Sequence, residues 1–484
     1  MDPVLDPAQG SEPLRWAAYG YLVVLAVMGL FGLHRVWLLR RFRWERQQEA
    51  APEPRELPTV TVQLPLYNER TVAARLIRAA GALDYPREKL EIQVLDDSGD
   101  ETTRIAREEV RRLTESGVSA RLLRRPDRRG FKAGALDYGM ERARGELLAV
   151  FDADFTPRPD FLRRLVGHFA DPAVGMVQAR WEHQNRDESV LTRAESTLLD
   201  GHFVIEHKVR HDRGLFFNFN GTAGIWRRGA IEGSGGWQHD TLTEDLDLSY
   251  RAQLAGWRFV YAPLVVAPAE VPPDIASFKS QQHRWAKGSV QVARKLGRRI
   301  VAANPPLRVK LEACVHLTAN SGYPLVLVLA LLLPFSLREQ TLLGGQLHLI
   351  AFVLCTLSVV SFYECSQRAL GRSGWKRLCD VPAAMSLGIG MCVSQTRAVL
   401  EGLFGSTGTF VRTPKRGDVA GGAGYRAALR GLPGIELVLA AWFAWALVHA
   451  VQVGMWGSLP FLLLFFSGFI WVGSSSLRQY LAAR

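Results

Sequence analysis

Carboxylates come in close pairs along this chain, placed where work on an anionic substrate would need them. Asp152 and Asp154 flank Ala153 directly after the apolar run Leu147–Phe151. A hard divalent cation takes oxygen ligands and binds through one or two carboxylates when substrate phosphates complete its shell. Such a cation offsets the charge that builds on a leaving diphosphate. The competing reading of Asp-x-Asp is a solvated turn. Asp96 and Asp97, with Ser98 next, close a second apolar run, Glu91–Leu95. They are able to bond a base or ribose, or to serve as the polar exit of a strand. Tyr67 and Glu69 in Pro65-Leu66-Tyr67-Asn68-Glu69 add a ring for a nucleobase and a further carboxylate, or belong to a loop with a helix cap.

Three further clusters carry other chemistry. Arg129 and Lys132, in Arg129-Gly130-Phe131-Lys132-Ala133-Gly134-Ala135, sit at the entry of a helix pattern, where cations and the helix N-terminus both favour phosphate. Thr243-Glu244-Asp245-Leu246-Asp247 opens another helix pattern. Acids in a first turn are favoured by the helix dipole alone, but a carboxylate aimed at a crevice also serves as a general base. In Gln281-Gln282-His283-Arg284-Trp285, Gln281 shares a helix face with Arg284 and Trp285. Arg pairs with phosphate, and Trp offers an apolar face with an N–H to a sugar ring. His283 reads as a packing or surface residue.

These residues must be positioned by a repeated strand–turn–helix pattern. Val60–Leu64 reads as a strand ended by Pro65, residues 71–83 as a helix, and Glu91–Leu95 as a strand. A helix over 101–113 follows, with Asp100 as its N-cap. Leu147–Phe151 is a buried-type strand, and the acidic helix from Thr243 runs to Gly256. Alternating strands and helices predict a mostly parallel sheet with ligands at the strands' carboxyl ends. No G-x-G-x-x-G or P-loop motif is present, which disfavours dinucleotide and P-loop sites.

The chain has 484 residues, a formal net charge of +12 and five cysteines. No zinc-finger spacing, RNP-like motif or basic repeat accompanies the positive charge, so nucleic acid is not the expected partner. All five cysteines fall after residue 310, none in a C-x-x-C pair, which fits a reducing face without disulfides or zinc. Mean hydropathy is near zero, yet the chain is segregated. Trp16 to Leu33 carries no charge and is followed by Arg35, Arg40, Arg41, Arg43 and Arg46. That predicts an uncleaved anchor with its C-terminal end in the cytoplasm. Further spans are expected at about 315–335, 347–364, 435–453 and 456–473. Val381–Val393 is apolar for only about 13 residues and reads as an interfacial or re-entrant helix. The expected organisation is an anchor over 1–44, a cytoplasmic α/β domain over 45–310, and a membrane region over 311–484. The last includes an interfacial helix at about 381–400 and a cytoplasmic loop at about 401–433, whose Phe410–Lys415 stretch is a candidate gating segment.

In this order, the clusters resemble the processive family 2 glycosyltransferases, the group containing cellulose, chitin and hyaluronan synthases. Gln93-Val94-Leu95-Asp96-Asp97-Ser98, Gly130-Phe131-Lys132-Ala133-Gly134-Ala135-Leu136, Phe219-Asn220-Gly221-Thr222-Ala223-Gly224 and Thr413-Pro414-Lys415 are similar to the cellulose-synthase-like A and C branch, which makes mannan, glucomannan or β-glucan backbones. The resemblance implies a GT-A fold, an inverting mechanism, a nucleotide-sugar donor (UDP- or GDP-hexose) and a glycan acceptor. It implies that Asp96 and Asp97, with Tyr67 and Glu69 nearby, bind the donor nucleoside, and that Asp152 and Asp154 hold Mg2+ or Mn2+ against the diphosphate. Lys132 and Arg284 would contact that diphosphate, and Asp245 would be the general base. Trp285, Gln281 and Gly221, Thr222 and Ala223 would hold the acceptor sugar. It further implies a multi-pass protein of a bacterial inner membrane or a Golgi-type membrane. Five spans are fewer than in bacterial cellulose synthases, so the product's route is open, as is the oligomeric state. Two alternatives stand beside this reading: single transfer to a polyprenyl phosphate or glycolipid, and a membrane channel that senses nucleotide sugars.

Overall fold

The computed structural model describes residues 12–45, 54, 56–336, 345–405 and 434–482. Seven strands form one mixed, mostly parallel sheet: β1 Val60–Leu66, β2 Leu90–Asp96, β3 Ala120–Leu123, β4 Leu147–Val150, β5 Val174–His183, β6 Gly224–Arg227 and β7 Arg258–Ala269. Their order is β3-β2-β1-β4-β6-β5-β7. Only β6 runs against the others. The carboxyl ends of β1, β2, β4, β5 and β7 therefore meet at one sheet edge, together with the loop entering β6.

Strand alternation fills a core on each face. Leu147 and Ala149 join one apolar cluster, while Leu148 and Val150 join the other. In β1, Val60, Val62 and Leu64 pack into the first cluster. The opposite positions are polar and buried: Thr61 donates to Glu91 (2.8 Å) and Gln63 donates to Gln93 (3.1 Å), each across a register pair. These paired side chains pin the β1–β2 register.

The elements differ from the sequence reading at their ends. β1 continues through Pro65 to Leu66. Gln63 C=O accepts from Phe151 N–H on the β4 side. Pro65, two residues on, faces that same side, where the β1–β4 ladder has already stopped, so its missing N–H costs no ladder bond. The helix expected over 71–83 spans Ala73–Gly81. The next spans Thr102–Glu115, with Asp100 accepting from Thr102 N–H at 2.9 Å. The acidic helix is Glu244–Leu254, stopped ahead of Gly256 at φ +97.

Five described helices are long and apolar enough to cross a membrane: Trp16–Arg41, Leu307–Phe335, Ile350–Ala369, Gly434–Gln452 and Trp456–Ala482. Between the third and fourth, Gly374–Gly390 and Cys392–Phe404 form a pair bent by 50°. Glycines let the first arm seat closely, since a Cβ on Gly390 would meet Gly468 C=O at 2.3 Å. The Phe410–Lys415 stretch lies outside the described residues.

Buried polar contacts tie these helices to the α/β domain. Arg186 pairs with Asp380 (2.6 Å) while only 3% and 5% of their side chains are exposed, and Gln367 donates to Asp200 at 2.8 Å. Arg210 bonds Glu312 at 3.0 Å, and Lys279 bonds Glu436 at 2.6 Å. Removing one partner of a buried pair strands the other charge, at a cost of about 3–5 kcal/mol. Asp380→Ala should therefore lower the unfolding midpoint of the detergent-purified protein markedly. A midpoint equal to wild type would show that Arg186 does not depend on Asp380.

Candidate active site

Residues from β1, β2, β4, β5, β7 and the loop before β6 line one cleft at the carboxyl edge of the sheet, closed by the helix Ile275–Ala302. At its centre lies Lys132, in the first turn of the helix Phe131–Met140. Gly130 (φ +73) and Phe131 (φ +50) both adopt left-handed backbone, which turns this helix start toward the sheet edge. The Lys132 ammonium donates to Gly221 C=O at 2.8 Å and pairs with Asp152 at 2.5 Å.

The loop before β6 is stitched to β4. Asp152 N–H donates to the Thr222 hydroxyl (2.9 Å), and Ala223 N–H donates to Val150 C=O (2.8 Å). Gly221 adopts φ +80, and a Cβ there would lie 2.8 Å from Asp245 Oδ2 and 3.3 Å from Lys132 Nζ. Only a glycine gives the acidic helix this approach. Asp245 and Glu244 open that helix beside the cleft, and Asp245 Oδ1 accepts from Leu246 N–H. Gly288 has a matching role: a Cβ there would meet Thr243 Oγ1 at 2.6 Å, so its absence seats the helix carrying Gln281, Arg284 and Trp285 against the Thr243 turn.

Charge in this cleft is concentrated. Burial and neighbouring Glu244 push Asp245 up to about 7, against the pull of Lys132. Glu244 is also raised, by burial, with Lys132 opposing. Burial alone would lower Lys132, but Asp152, Glu244 and Asp245 outweigh it and hold the ammonium above its usual range. Arg284 is lowered by burial despite Glu244, Asp152, Asp245 and Asp154 around it. Two cations thus stand among four carboxylates. A base poised near neutrality and facing an open cleft is what proton abstraction from a hydroxyl requires. Among the described residues no group of three or more His, Cys, Asp or Glu side chains could cage a metal. Asp152 and Asp154 are a two-carboxylate set that leaves the remaining coordination to a ligand.

The structure separates the residues singled out in the sequence. Tyr67, Glu69, Asp97, Lys132, Asp152, Asp154, Gly221, Asp245, Gln281, Arg284 and Trp285 line the cleft. Asp96 does not. Its carboxylate is buried, accepting from Ser98 N–H (3.0 Å) and the Thr103 hydroxyl (2.7 Å), so it braces the turn after β2. Thr222 and Ala223 are buried behind the wall and hold the loop. Asp97 faces the cleft already paired with Arg125, at 3.0 and 2.5 Å. Asp247 is fully buried and bonded to Arg251 and Lys295. His283 packs near Glu401, at 3.3 Å.

Some lining residues had no sequence signal of their own. Arg128, rather than exposed Arg129, enters the cleft and lies 3.2 Å from the Tyr67 ring centroid. Trp181 and His183 come from β5, and Glu270 follows β7. Alternation along β5 could have placed Trp181 and His183 on one face, but not at this edge.

Comparison with known proteins agrees with this geometry. The family profile described as "Glycosyltransferase like family 2" matches residues 58–288. Glucomannan 4-beta-mannosyltransferase 2 of Arabidopsis thaliana is 44% identical over 249 residues, 50% of this chain and 47% of its own length. Glucomannan 4-beta-mannosyltransferase 1 of Oryza sativa subsp. japonica is 42% identical over 271 residues, 54% of this chain and 52% of its own. The chain spans about half the length of the curated relatives it matches. Among solved structures, mannosyltransferase PcManGT from Pyrobaculum calidifontis, in complex with GDP-Man and Mn2+, superposes with a TM-score of 0.52 at 23% identity, over 80% of this chain and 99% of its own. That likeness concerns the fold, and it matches the sheet described above. Residues 58–288 thus match the glycosyltransferase family 2 profile, on a mostly parallel mixed sheet of the GT-A type.

Proposed function

We propose that this chain is a membrane-embedded inverting transferase that moves mannose from GDP-mannose onto a growing β-linked glycan. The observation that carries the reading is the placement of Asp245, raised toward neutrality, beside Lys132 and Asp152 in a cleft walled by Trp285. The choice of mannose rests on the relatives' names, and that of the GDP donor on the ligand of the archaeal neighbour.

Tyr67, Asp97 and Arg128 would hold the nucleoside at the β1 and β2 ends, and Lys132 and Arg284 would face the diphosphate. Asp152 and Asp154 fit a divalent cation as an oxygen donor set at a strand end, and when bound it offsets charge on the leaving diphosphate. Asp245 takes the proton of an acceptor hydroxyl as that oxygen bonds the anomeric carbon. The carbon–phosphate oxygen bond breaks on the opposite face, and the nucleoside diphosphate departs. Trp285 and Gln281 hold the acceptor ring, which favours chain extension over a single transfer.

Membrane placement belongs to the same proposal. Glu401, near the end of the bent pair, lies 3.4 Å from Lys287, and Glu436, at the start of the next apolar helix, lies 2.6 Å from Lys279. Both lysines are on the helix Ile275–Ala302, so Glu401 and Glu436 stand on the same side, against the α/β domain. At its other end, the bent pair meets the domain through Asp380. These contacts support five spans with a re-entrant pair, and the arginines after the first span support a cytoplasmic domain.

In nanodiscs with Mg2+ or Mn2+, the purified protein should transfer from GDP-mannose in preference to UDP-sugars; transfer from UDP-sugars alone would overturn the donor. Asp245→Asn should lower turnover by roughly 10²–10⁴-fold, and undiminished transfer would remove its role as base. With Asp245 near 7 in the free protein, kcat/KM should fall about tenfold per unit as pH drops below that value, because protonation removes the base. A flat profile from pH 5 to 8 would contradict this. A single cysteine introduced at 415 should label from the same side as the α/β domain, and labelling from the far side would require a sixth span.

A further inference from the structure

The donor and the reacting centre leave one end of the cleft without a task. Tyr67 and Asp97 stand at the ends of β1 and β2, and Asp152 at the end of β4. β5 lies two strands beyond β4 in the sheet order, roughly 10 Å at the usual strand spacing. From there Trp181 and His183 project on one face of β5, and Glu270 follows Ala269, the register partner of His183.

These three side chains have the chemistry of a carbohydrate site. The Trp181 ring is part-exposed, packs on Phe155 and Phe203 (5.3 and 5.0 Å between centroids), and lies 6.4 Å from the Trp285 ring. That last spacing is about the length of one hexose residue, so the two indoles offer consecutive apolar platforms. Among the described residues, Trp181 Nε1–H has no hydrogen-bond partner. Glu270 spends one oxygen on Arg75 (2.7 Å), and its other oxygen has none. Its side chain is only 8% exposed. A buried polar group left unbonded costs about 1–3 kcal/mol, and two of them, one donor and one acceptor, in the wall of one cleft point to a ligand with hydroxyls. His183 is braced from behind: its Nε2 lies 3.3 Å from Asp200, which accepts from Gln367.

We propose that Trp181, His183 and Glu270 form a second sugar subsite, holding the hexose next to the one on Trp285. The proposal rests on the glycosyltransferase reading but is separable from it by experiment. Binding of methyl β-mannoside and of β-1,4-mannobiose to the full-length protein in nanodiscs, without donor, should differ, with the disaccharide at least tenfold tighter. Trp181→Ala and Glu270→Gln should erase that gain while changing monosaccharide binding little. With GDP-mannose present, the same variants should raise KM for the disaccharide more than for the monosaccharide. Trp181→Phe, which keeps a ring, should recover part of the difference and guards against a folding defect in the alanine variant. Equal binding of the two sugars by wild type, or equal losses for both in the variants, would overturn the subsite. If no transfer occurs yet the length dependence and its loss remain, the transferase reading fails and the subsite stands.

Discussion

One ammonium group holds the cleft together. Asp152, Asp154, Glu244 and Asp245 arrive from two segments about ninety residues apart and converge on one partly desolvated space. Without compensation, four carboxylates there would repel one another and protonate. Lys132 bonds the Gly221 carbonyl and the Asp152 carboxylate at once, so one side chain joins a helix start, the loop before β6 and the end of β4. Arg284 adds the second positive charge from the helix behind. The balance is incomplete by design of the burial: enough positive charge remains to keep the acids together, too little to hold Asp245 at an ordinary carboxylate value. Anionic substrate and a cation would enter a site whose charges are already arranged.

Two glycines make that convergence sterically possible. Gly221 gives up a Cβ so that Asp245 reaches the loop before β6, beside Lys132, and Gly288 gives up a Cβ so that the Trp285 helix reaches Thr243. The same loop is tied to the apolar helices by an unbroken run of side chains. Asn220 lies 3.1 Å from His202, His202 bonds Glu206 at 2.9 Å, and Arg210 joins Glu206 to Glu312, which bonds His34 in the first apolar helix. His202 and Glu206 belong to a π-helical stretch, Gly201–His207, a geometry that recurs where side chains must be re-aimed. The wall of the cleft and the first membrane-type helix are thus one hydrogen-bonded unit.

Much of this was legible beforehand, and what was not has physical reasons. Strand–helix alternation reveals the sheet, and the acidic pairs after β2 and β4 mark the carboxyl edge where the cleft lies. Asp96 and Asp97 are chemically identical neighbours, so composition could not say which faces inward; strand alternation turns Asp96 into the β2 turn and Asp97 to the cleft. Arg128 and Arg129 pose the same problem, resolved by the left-handed turn at Gly130 and Phe131. Pro65 read as a strand end because its lost N–H should break a ladder, yet the ladder on that side had already ended. Trp181 and His183 were hidden because an aromatic and a histidine in a half-apolar strand look like core.

The far end of the cleft is tied to the apolar helices. Leu199 lines it, and the next residue, Asp200, accepts from Gln367 near the end of the third apolar helix. Gln367 also accepts from Arg186, which pairs with Asp380 at the start of the bent pair. The wall beyond Trp181 is therefore backed by a domain element locked to two membrane-type helices, while the end carrying Tyr67 and Asp97 is walled by β1 and β2, on the opposite half of the sheet. A glycan lengthening from Trp285 past Trp181, as proposed, would move away from the β1 and β2 ends and toward that buried polar junction. On the proposed reading, sheet order sets the direction: with the acids on β4 in the middle, a donor held at β1 and β2 would leave for product the half of the edge bonded to the apolar helices.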